Sequence, residues 1–336
     1  MDRTGKNIFE ANKEQVLCLA AKKYKIDPGV LKLVGGFENQ IYEFAENGRE
    51  YILRITDSIH RNIDQVMAEV AFIDYLVQGG LSAVRPLESP SGSLVEKIDF
   101  GEDPDGHDFY FSLIKFKKAP GGHPGAGQWT NGLFREWGCL LGKLHRLSRN
   151  YRPATARLKR REWHEDPDID VNRFIPADQV IVREKFSQLI DSLHRLPRNQ
   201  NNYGLTHNDA HNWNLHIHEN RIILFDFDDC QYDWYINDLA IVLFYTLRDR
   251  TIGDGSADFA RRFWRCLLEG YREESELPSE WLELVPFFLK VREMILYTIV
   301  YAEQCFDENE WVRSFMKERR EMIENDIPII DIDFAL

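Results

Sequence analysis

The residues best suited to chemistry lie between positions 203 and 228. His207, Asp209 and Asn214 stand in an H-x-D-x-x-x-x-N arrangement within His207-Asn208-Asp209-Ala210-His211-Asn212-Trp213-Asn214. Further on, past the turn signal Glu219-Asn220, comes Leu224-Phe225-Asp226-Phe227-Asp228. Alternation along an extended strand points the Asp226 and Asp228 carboxylates to one face. A hard dication such as Mg²⁺ seeks that kind of oxygen cluster, with phosphates and water completing its octahedron. The amide oxygen of Asn214 adds a neutral ligand, and Asp209 is placed to accept a proton from an attacking hydroxyl. The plainer reading is a polar turn beside an acidic pair that caps helices. The Asn spacing and the apolar strand running into Asp-x-Asp favour the chemical one.

These residues resemble the catalytic loop and metal-binding strand of the aminoglycoside phosphotransferase family, which is similar in fold to choline kinases, related homoserine kinases and eukaryotic-like protein kinases. The resemblance covers nearly the whole chain, in family order. It implies an ATP- and Mg²⁺-dependent phosphotransferase with Asp209 as catalytic base and Asn214 and Asp226 as magnesium ligands. Asp228 replaces the glycine of the protein-kinase Asp-Phe-Gly and joins the metal set. Asp238, in Asn237-Asp238-Leu239-Ala240, matches the family residue that anchors the backbone of the loop opened by His207. Unaided, Asp238 reads as an acid favoured in the first turn of a helix.

The same resemblance places the nucleotide on the N-terminal part. Gly35-Gly36-Phe37-Glu38-Asn39 offers backbone amides that cradle phosphates, although it departs from G-x-G-x-x-G. Arg54 stands where kinases have the phosphate-holding lysine, and its fixed cationic fork suits that task. Glu69 is the acidic partner of that cation. Taken singly, the glycines make a turn, Arg54 faces solvent from a strand, and Glu69 is an exposed helix charge. As an ordered set, Gly35, Gly36, Asn39, Arg54 and Glu69 favour nucleotide binding. The end of Ile114-Lys115-Phe116-Lys117 supplies adenine-facing backbone.

The elements needed to position these residues are legible in the pattern. A helix is expected over Lys13 to Tyr24, broken by Asp27-Pro28-Gly29. Strands follow at Leu31–Val34, Gln40–Ala45 and Tyr51–Ile55, the last two joined by the Asn-Gly turn Glu46-Asn47-Gly48-Arg49. Val66, Val70, Ile73 and Val77 mark a helix from Ile63 to Val77, stopped by Gly79-Gly80. Ser93–Ile98 and Phe109–Phe116 are further strands around Asp103-Pro104-Asp105-Gly106. The stretch from Ala119 to Gly127, dense in Gly and Pro, is a hinge or a mobile loop. Beyond it the pattern is helical: Leu133–Leu147, Val180–Leu196, Asn237–Thr246, Ala257–Tyr271, Ser279–Phe306 and Glu308–Glu324, with one β excursion from Asn214 to Asp228. The reading is an α+β, protein-kinase-like two-lobe fold. Residues 1–117 form a nucleotide-binding antiparallel β lobe, and residues 118–336 a larger helical lobe for catalysis and substrate.

The 336 residues carry 55 acidic against 42 basic side chains, a net charge of −13, which disfavours nucleic acid as a partner. Five scattered cysteines without a Cys-x-x-Cys pair argue against a disulfide framework or structural zinc. No apolar run suggests a signal peptide or membrane span, so a cytoplasmic protein is expected. One rival is a metal-dependent hydrolase built from His207, His211, His216 and His218 with the nearby aspartates. Another is a nucleotide-binding pseudokinase, although no base, metal Asp or phosphate cation is missing. The loop lacks the Arg that couples protein kinases to a phosphorylated activation loop, and the segment from Asp228 to Asp238 is too short to be one. A small-molecule hydroxyl acceptor (aminoglycoside, amino alcohol, homoserine or sugar) is therefore favoured, with a stress-response-type Ser/Thr protein kinase as alternative. Tyr297, Tyr301 and Glu303 are acceptor-pocket candidates, although such a stripe is more often core. The acidic run Glu165, Asp166, Asp168 and Asp170 beside Trp163 is an amine-attracting loop or, more simply, a solvated charge run.

Overall fold

Alternating apolar residues on Gln40–Glu46 and the Asn-Gly turn after it set up the sheet that carries the N-terminal lobe. In the computed structural model, which describes residues 4–36, 38–306 and 309–335, that turn has positive φ at both Asn47 and Gly48, as a tight hairpin demands. Phe37 and the expected helix start at Glu308 lie outside the described residues. Strands β1 (Lys32–Gly35), β2 (Gln40–Glu46), β3 (Arg49–Asp57), β4 (Pro86–Leu87), β5 (Glu96–Glu102) and β6 (Asp108–Lys117) form one antiparallel sheet. β3 lies between β2 and β6, so Arg54 is flanked by Ile41 and Ile114 at its centre. Helices α1 (Thr4–Ala11) and α2 (Lys13–Tyr24) cover one face through Phe9, Val16, Ala20 and Tyr24.

Helix α3 (Ile63–Gln78) follows β3 and begins with a capping box in which Asn62 and Gln65 each accept from the other's backbone amide at 3.0 Å. Its Phe72, Ile73 and Leu76 do not join the sheet's core. They belong to the large core, with α4 (Asn131–Ser148), α7 (Tyr235–Thr246) and α8 (Ala257–Glu274). α4 and α8 pack at backbone contact: a Cβ on Gly270 would lie 1.8 Å from the Arg135 carbonyl oxygen, so the seam requires glycine. The remaining elements are α5 (Val171–Phe174), α6 (Val180–Arg195), β7 (Tyr203–Thr206), β8 (Leu215–His218), β9 (Arg221–Leu224), β10 (Gln231–Trp234), α9 (Ser279–Leu282), α10 (Val285–Glu303), α11 (Glu310–Met316) and α12 (Arg319–Glu324).

Several boundaries differ from expectation. α1, β4, β7 and β10 carry no clear period in so few residues, and β7 and β10 find each other only across the loop they enclose. The expected helix from Ser279 breaks at Glu283-Leu284, because Pro286 supplies no amide hydrogen and restarts the helix at its first turn. The last helix divides at Glu318, whose φ is +57°. Strand β5 begins at Glu96 rather than Ser93, since Ser89 to Ser93 close a turn held by Ser89 and Ser91 hydroxyls on the Glu96 carboxylate. Among the described residues, no helix is long and apolar enough to cross a membrane.

Candidate active site

The loop between β7 and β8 is held from beneath by one buried carboxylate. Asp238, in the first turn of α7, accepts from the backbone amides of His207 at 3.0 Å and Asn208 at 2.7 Å. It also meets His145 Nε2 of α4 at 2.9 Å, and the other nitrogen of His145 meets the Tyr271 hydroxyl at 2.9 Å. Burial pushes the His145 pKa down, which fits a neutral ring donating Nε2–H to Asp238. Burial opposes charge on Asp238 too, but the bond from His145 holds its carboxyl below the usual range. His207, also buried and pushed downward by burial, takes the Asp209 amide on Nδ1 at 3.3 Å and reaches the Phe225 carbonyl with Nε2 at 3.1 Å. The ring thus ties the loop to the segment that carries Asp226.

Asp209 has both carboxylate oxygens occupied. Oδ1 accepts from Arg292 Nη2 of α10 at 2.6 Å, while Oδ2 accepts from Asn214 Nδ2 at 2.9 Å and lies 3.1 Å from His211 Nε2. Although burial works against its charge, His211 and Arg292 hold its carboxyl at about 2. Asn214 also donates Nδ2 to the Asp209 carbonyl at 2.9 Å. Its amide hydrogens are committed to Asp209, so the amide oxygen is left to act as a ligand.

The expected alternation of Asp226 and Asp228 along a strand does not occur. β9 stops at Leu224, and Asp226 adopts left-handed backbone with φ of +63°. The kink lets Phe227 turn inward against Phe72 of α3, with centroids 6.2 Å apart, and puts the two carboxylates in unlike surroundings. Asp226 is 46% exposed to the cleft and Asp228 only 6%. Arg54 Nη1 stands 3.8 Å from Asp226 Oδ1 and 3.9 Å from Asp228 Oδ1, so one guanidinium gathers both. Enclosure, then Asp228 and Glu69, push the Asp226 carboxyl upward against the pull of Arg54. Asp228 moves the other way: burial opposes its charge, but Arg61 and His60 hold it well below the ordinary range. His60 Nε2 meets Asp228 Oδ2 at 2.7 Å, while Oδ1 is buried without a hydrogen-bond partner. The orphaned Asp228 oxygen and the exposed Asp226 carboxylate, both about Arg54, are oxygen donors of the kind a hard dication takes, and Asn214 keeps an amide oxygen of the same kind.

Arg54 and Glu69 form a two-bond pair at 2.9 and 2.5 Å, with Glu69 fully buried. Glu69 and the nearby aspartates keep the guanidinium charged despite its burial. The pair borders an interlobe cavity of about 440 Å³. Val34, Ile41, Ile52, Phe116 and Phe225 give that cavity apolar walls, and Gly35, Gly36 and Asp226 line it too. Asn39 is turned aside: its Oδ1 accepts from Thr56 Oγ1 at 2.6 Å, and it lines a second cavity. Gly36 has φ of +129°, and a Cβ there would lie 1.7 Å from the Asn39 carbonyl oxygen. Gly36→Ala is expected to raise the KM for nucleotide on the order of tenfold or more by forcing this loop open. Steady-state kinetics at varied nucleotide checks it.

The second cavity, about 320 Å³, opens beside the first, and its lining includes the carboxylates of Asp209, Asp226, Asp228, Asp229 and Glu38. Tyr245, Trp311, Leu296, Ile299 and Val300 line it as well, with Arg292. Tyr297, Tyr301 and Glu303 do not line it. The helical face of Arg292, Leu296, Ile299 and Val300 does so instead, and Tyr297 and Tyr301 turn towards α6 and bond Gln179 at 2.7 and 2.5 Å. The four loop histidines do not converge on a metal either. His216 packs on His123 and Phe225, and His218 is half exposed. The acidic run is structural: Asp166 pairs with Arg161 at 2.6 Å and caps a short turn, and Trp163 is buried. Arg292, Tyr245, His145, His60 and Arg61 are site residues that the sequence reading missed. Arg292 and Tyr245 each lie among apolar residues of a helix, His60 and Arg61 lie side by side in the connection from β3 to α3, and His145 sits within the basic last turn of α4.

The phosphotransferase enzyme family matches residues 29–277. Amicoumacin kinase of Bacillus subtilis (strain 168) is 36% identical over 334 residues, spanning 98% of this chain and 97% of that protein. A solved amicoumacin kinase in complex with AMP-PNP, Ca²⁺ and Ami superposes with a TM-score of 0.89 at 35% identity over 96% of each chain. The microcompartment-associated aminopropanol kinase gives 0.72 at 19% identity, over 93% of this chain and 98% of that one. At that identity the likeness is one of fold. With the match spanning most of the sequence and the relatives end to end, the chain belongs to the phosphotransferase enzyme family, and it is a kinase.

Proposed function

We propose that the chain transfers the γ-phosphate of ATP, with Mg²⁺, to a hydroxyl of a small molecule that joins a cationic group to an apolar ring. The observation that carries this reading is the second cavity, whose lining combines Asp209 and other carboxylates with Tyr245, Trp311 and aliphatic residues. A protonated amine suits the carboxylates and a ring the apolar residues. The amicoumacin kinases that align end to end make amicoumacin the first acceptor to try. Residues 1–117 would bind nucleotide, and residues 118–336 would supply catalysis and the acceptor site in a cytoplasmic enzyme.

In this reading Arg54, fixed by Glu69, holds the phosphates that are not transferred, beneath the Gly35-Gly36 turn. Asn214, Asp226 and Asp228 would hold the magnesium ion, which offsets charge on the phosphate oxygens. Asp209 orients the acceptor hydroxyl and takes its proton late, because its depressed carboxyl is a weak base and the transition state is loose.

The test is coupled ADP release against a panel of amicoumacin, aminoglycosides, amino alcohols, homoserine and a protein serine substrate. ADP release that requires amicoumacin and Mg²⁺ is expected, and Asp226→Ala should remove the metal dependence together with the activity. Zinc retained through chelation with no nucleotide binding would sink the reading in favour of a hydrolase. Turnover on the protein substrate alone would replace the acceptor assignment.

A further inference from the structure

Asp209 is held by two kinds of partner. Oδ2 is tied within its own loop, to Asn214 and His211. Oδ1 is tied to Arg292 Nη2, which comes from α10, 83 residues further along the chain. Without that second hold the carboxylate would turn about its terminal bond, a broad torsion with little intrinsic preference.

Arg292 also makes a second bond with the same nitrogen. Nη2 donates to the Tyr245 hydroxyl at 2.7 Å, and the guanidinium carbon stands 5.1 Å from the Tyr245 ring centroid. Tyr245 lies between His211, at 4.4 Å, and Trp311, which stacks on it at 5.8 Å with an interplanar angle of 20°. Asp209, Tyr245, Arg292 and Trp311 all line the second cavity. The guanidinium is 9% exposed, and its Nε has no partner.

We infer that Arg292 is a positioning residue: it fixes the Asp209 carboxylate for the acceptor hydroxyl and, through Tyr245, ties that orientation to the aromatic cluster of His211, Tyr245 and Trp311 beside the second cavity. Tyr245, held between His211 and Trp311, restrains Arg292, and Arg292 restrains the oxygen that meets the hydroxyl. The inference rests on the reading of Asp209 as the base.

The experiment measures kcat and both KM values for Arg292→Gln, Arg292→Lys, Tyr245→Phe and the Arg292→Gln/Tyr245→Phe double variant, with amicoumacin as acceptor and Mg-AMP-PNP binding followed by thermal shift. Arg292→Gln should lower kcat about 100-fold, the cost of a misplaced catalytic group, while KM for ATP stays within about twofold. Arg292→Lys should recover about tenfold of the loss. Tyr245→Phe should lose about fivefold alone and add little to Arg292→Gln, since both act through one contact. Should Arg292→Gln fail to fold, Arg292→Lys and Tyr245→Phe, which keep volume and charge, carry the comparison. An unchanged kcat with intact Mg-AMP-PNP binding, a loss confined to the acceptor KM, or fully additive losses would overturn the inference. An Asp209→Asn control separates the two readings. If it is inactive while Arg292→Gln is unaffected, only the inference falls; if it is fully active, the base assignment itself falls.

Discussion

Asp209→Asn is expected to cut kcat by roughly 10²- to 10⁴-fold, the range that a positioned proton acceptor contributes. Binding of the Mg-nucleotide complex should persist, because Asp209 is not among the residues that line the nucleotide cavity. The asparagine is preferable to alanine on physical grounds. Alanine would leave the buried Arg292 guanidinium without its carboxylate, and stripping one partner from such a pair destabilises a fold by about 3–5 kcal/mol. Loss of rate would then be confounded with loss of structure. Asparagine keeps the shape and one acceptor, although its amide nitrogen must face a donor of Arg292 or Asn214, so a large fall in kcat beside a melting temperature lowered less than in the alanine variant isolates the chemistry. Full rate with asparagine would remove Asp209 from the mechanism.

Asp238→Ala should do more harm than any other single exchange outside the cleft. It would orphan the amides of His207 and Asn208 and the Nε2–H of His145, all at a site with no exposure. Each stranded buried donor costs about 1–3 kcal/mol, so a loss of at least about 3 kcal/mol is expected. Activity should vanish with it, since His207 and Asn208 carry the backbone that aims Asp209. Asp238→Asn retains one acceptor oxygen and should recover part of the stability. Urea unfolding of the three proteins gives the differences directly; equal midpoints for all would mean that the loop is held by something else.

Much of this arrangement was readable from residue order. The spacing of His207, Asp209 and Asn214 with Asp226 beyond marks a loop and a hairpin, because a turn signal and apolar alternation lie between them. Helix α3 announced itself through Val66, Val70, Ile73 and Val77, and with it came the place of Glu69. What was not legible depends on contacts between distant segments. No period identifies Arg292 as the partner of Asp209, since on α10 it is one polar residue among many apolar ones. The kink at Asp226 is invisible because aspartate does not advertise left-handed backbone as glycine does. The tyrosine stripe was ambiguous for a related reason, with core the favoured reading: Tyr297 and Tyr301 keep helical spacing equally well whether they face a ligand or α6, and only packing decides.

The division of apolar cores has a mechanical consequence. Arg54 stands on β3, whose Leu53 and Ile55 belong to the small core under α1 and α2, whereas Glu69 rides on α3, whose Phe72, Ile73 and Leu76 are set in the large one. The two-bond pair therefore joins the sheet to a helix that packs on both bodies, since Val66 and Val70 of α3 also pack against Ile114 of β6. Buried Arg160 crosses nearby, donating to the Gln65 carbonyl of α3 and to the carbonyls of Asp228 and Cys230. A shift of the sheet against α3 would therefore also move the guanidinium for which a phosphate role is proposed.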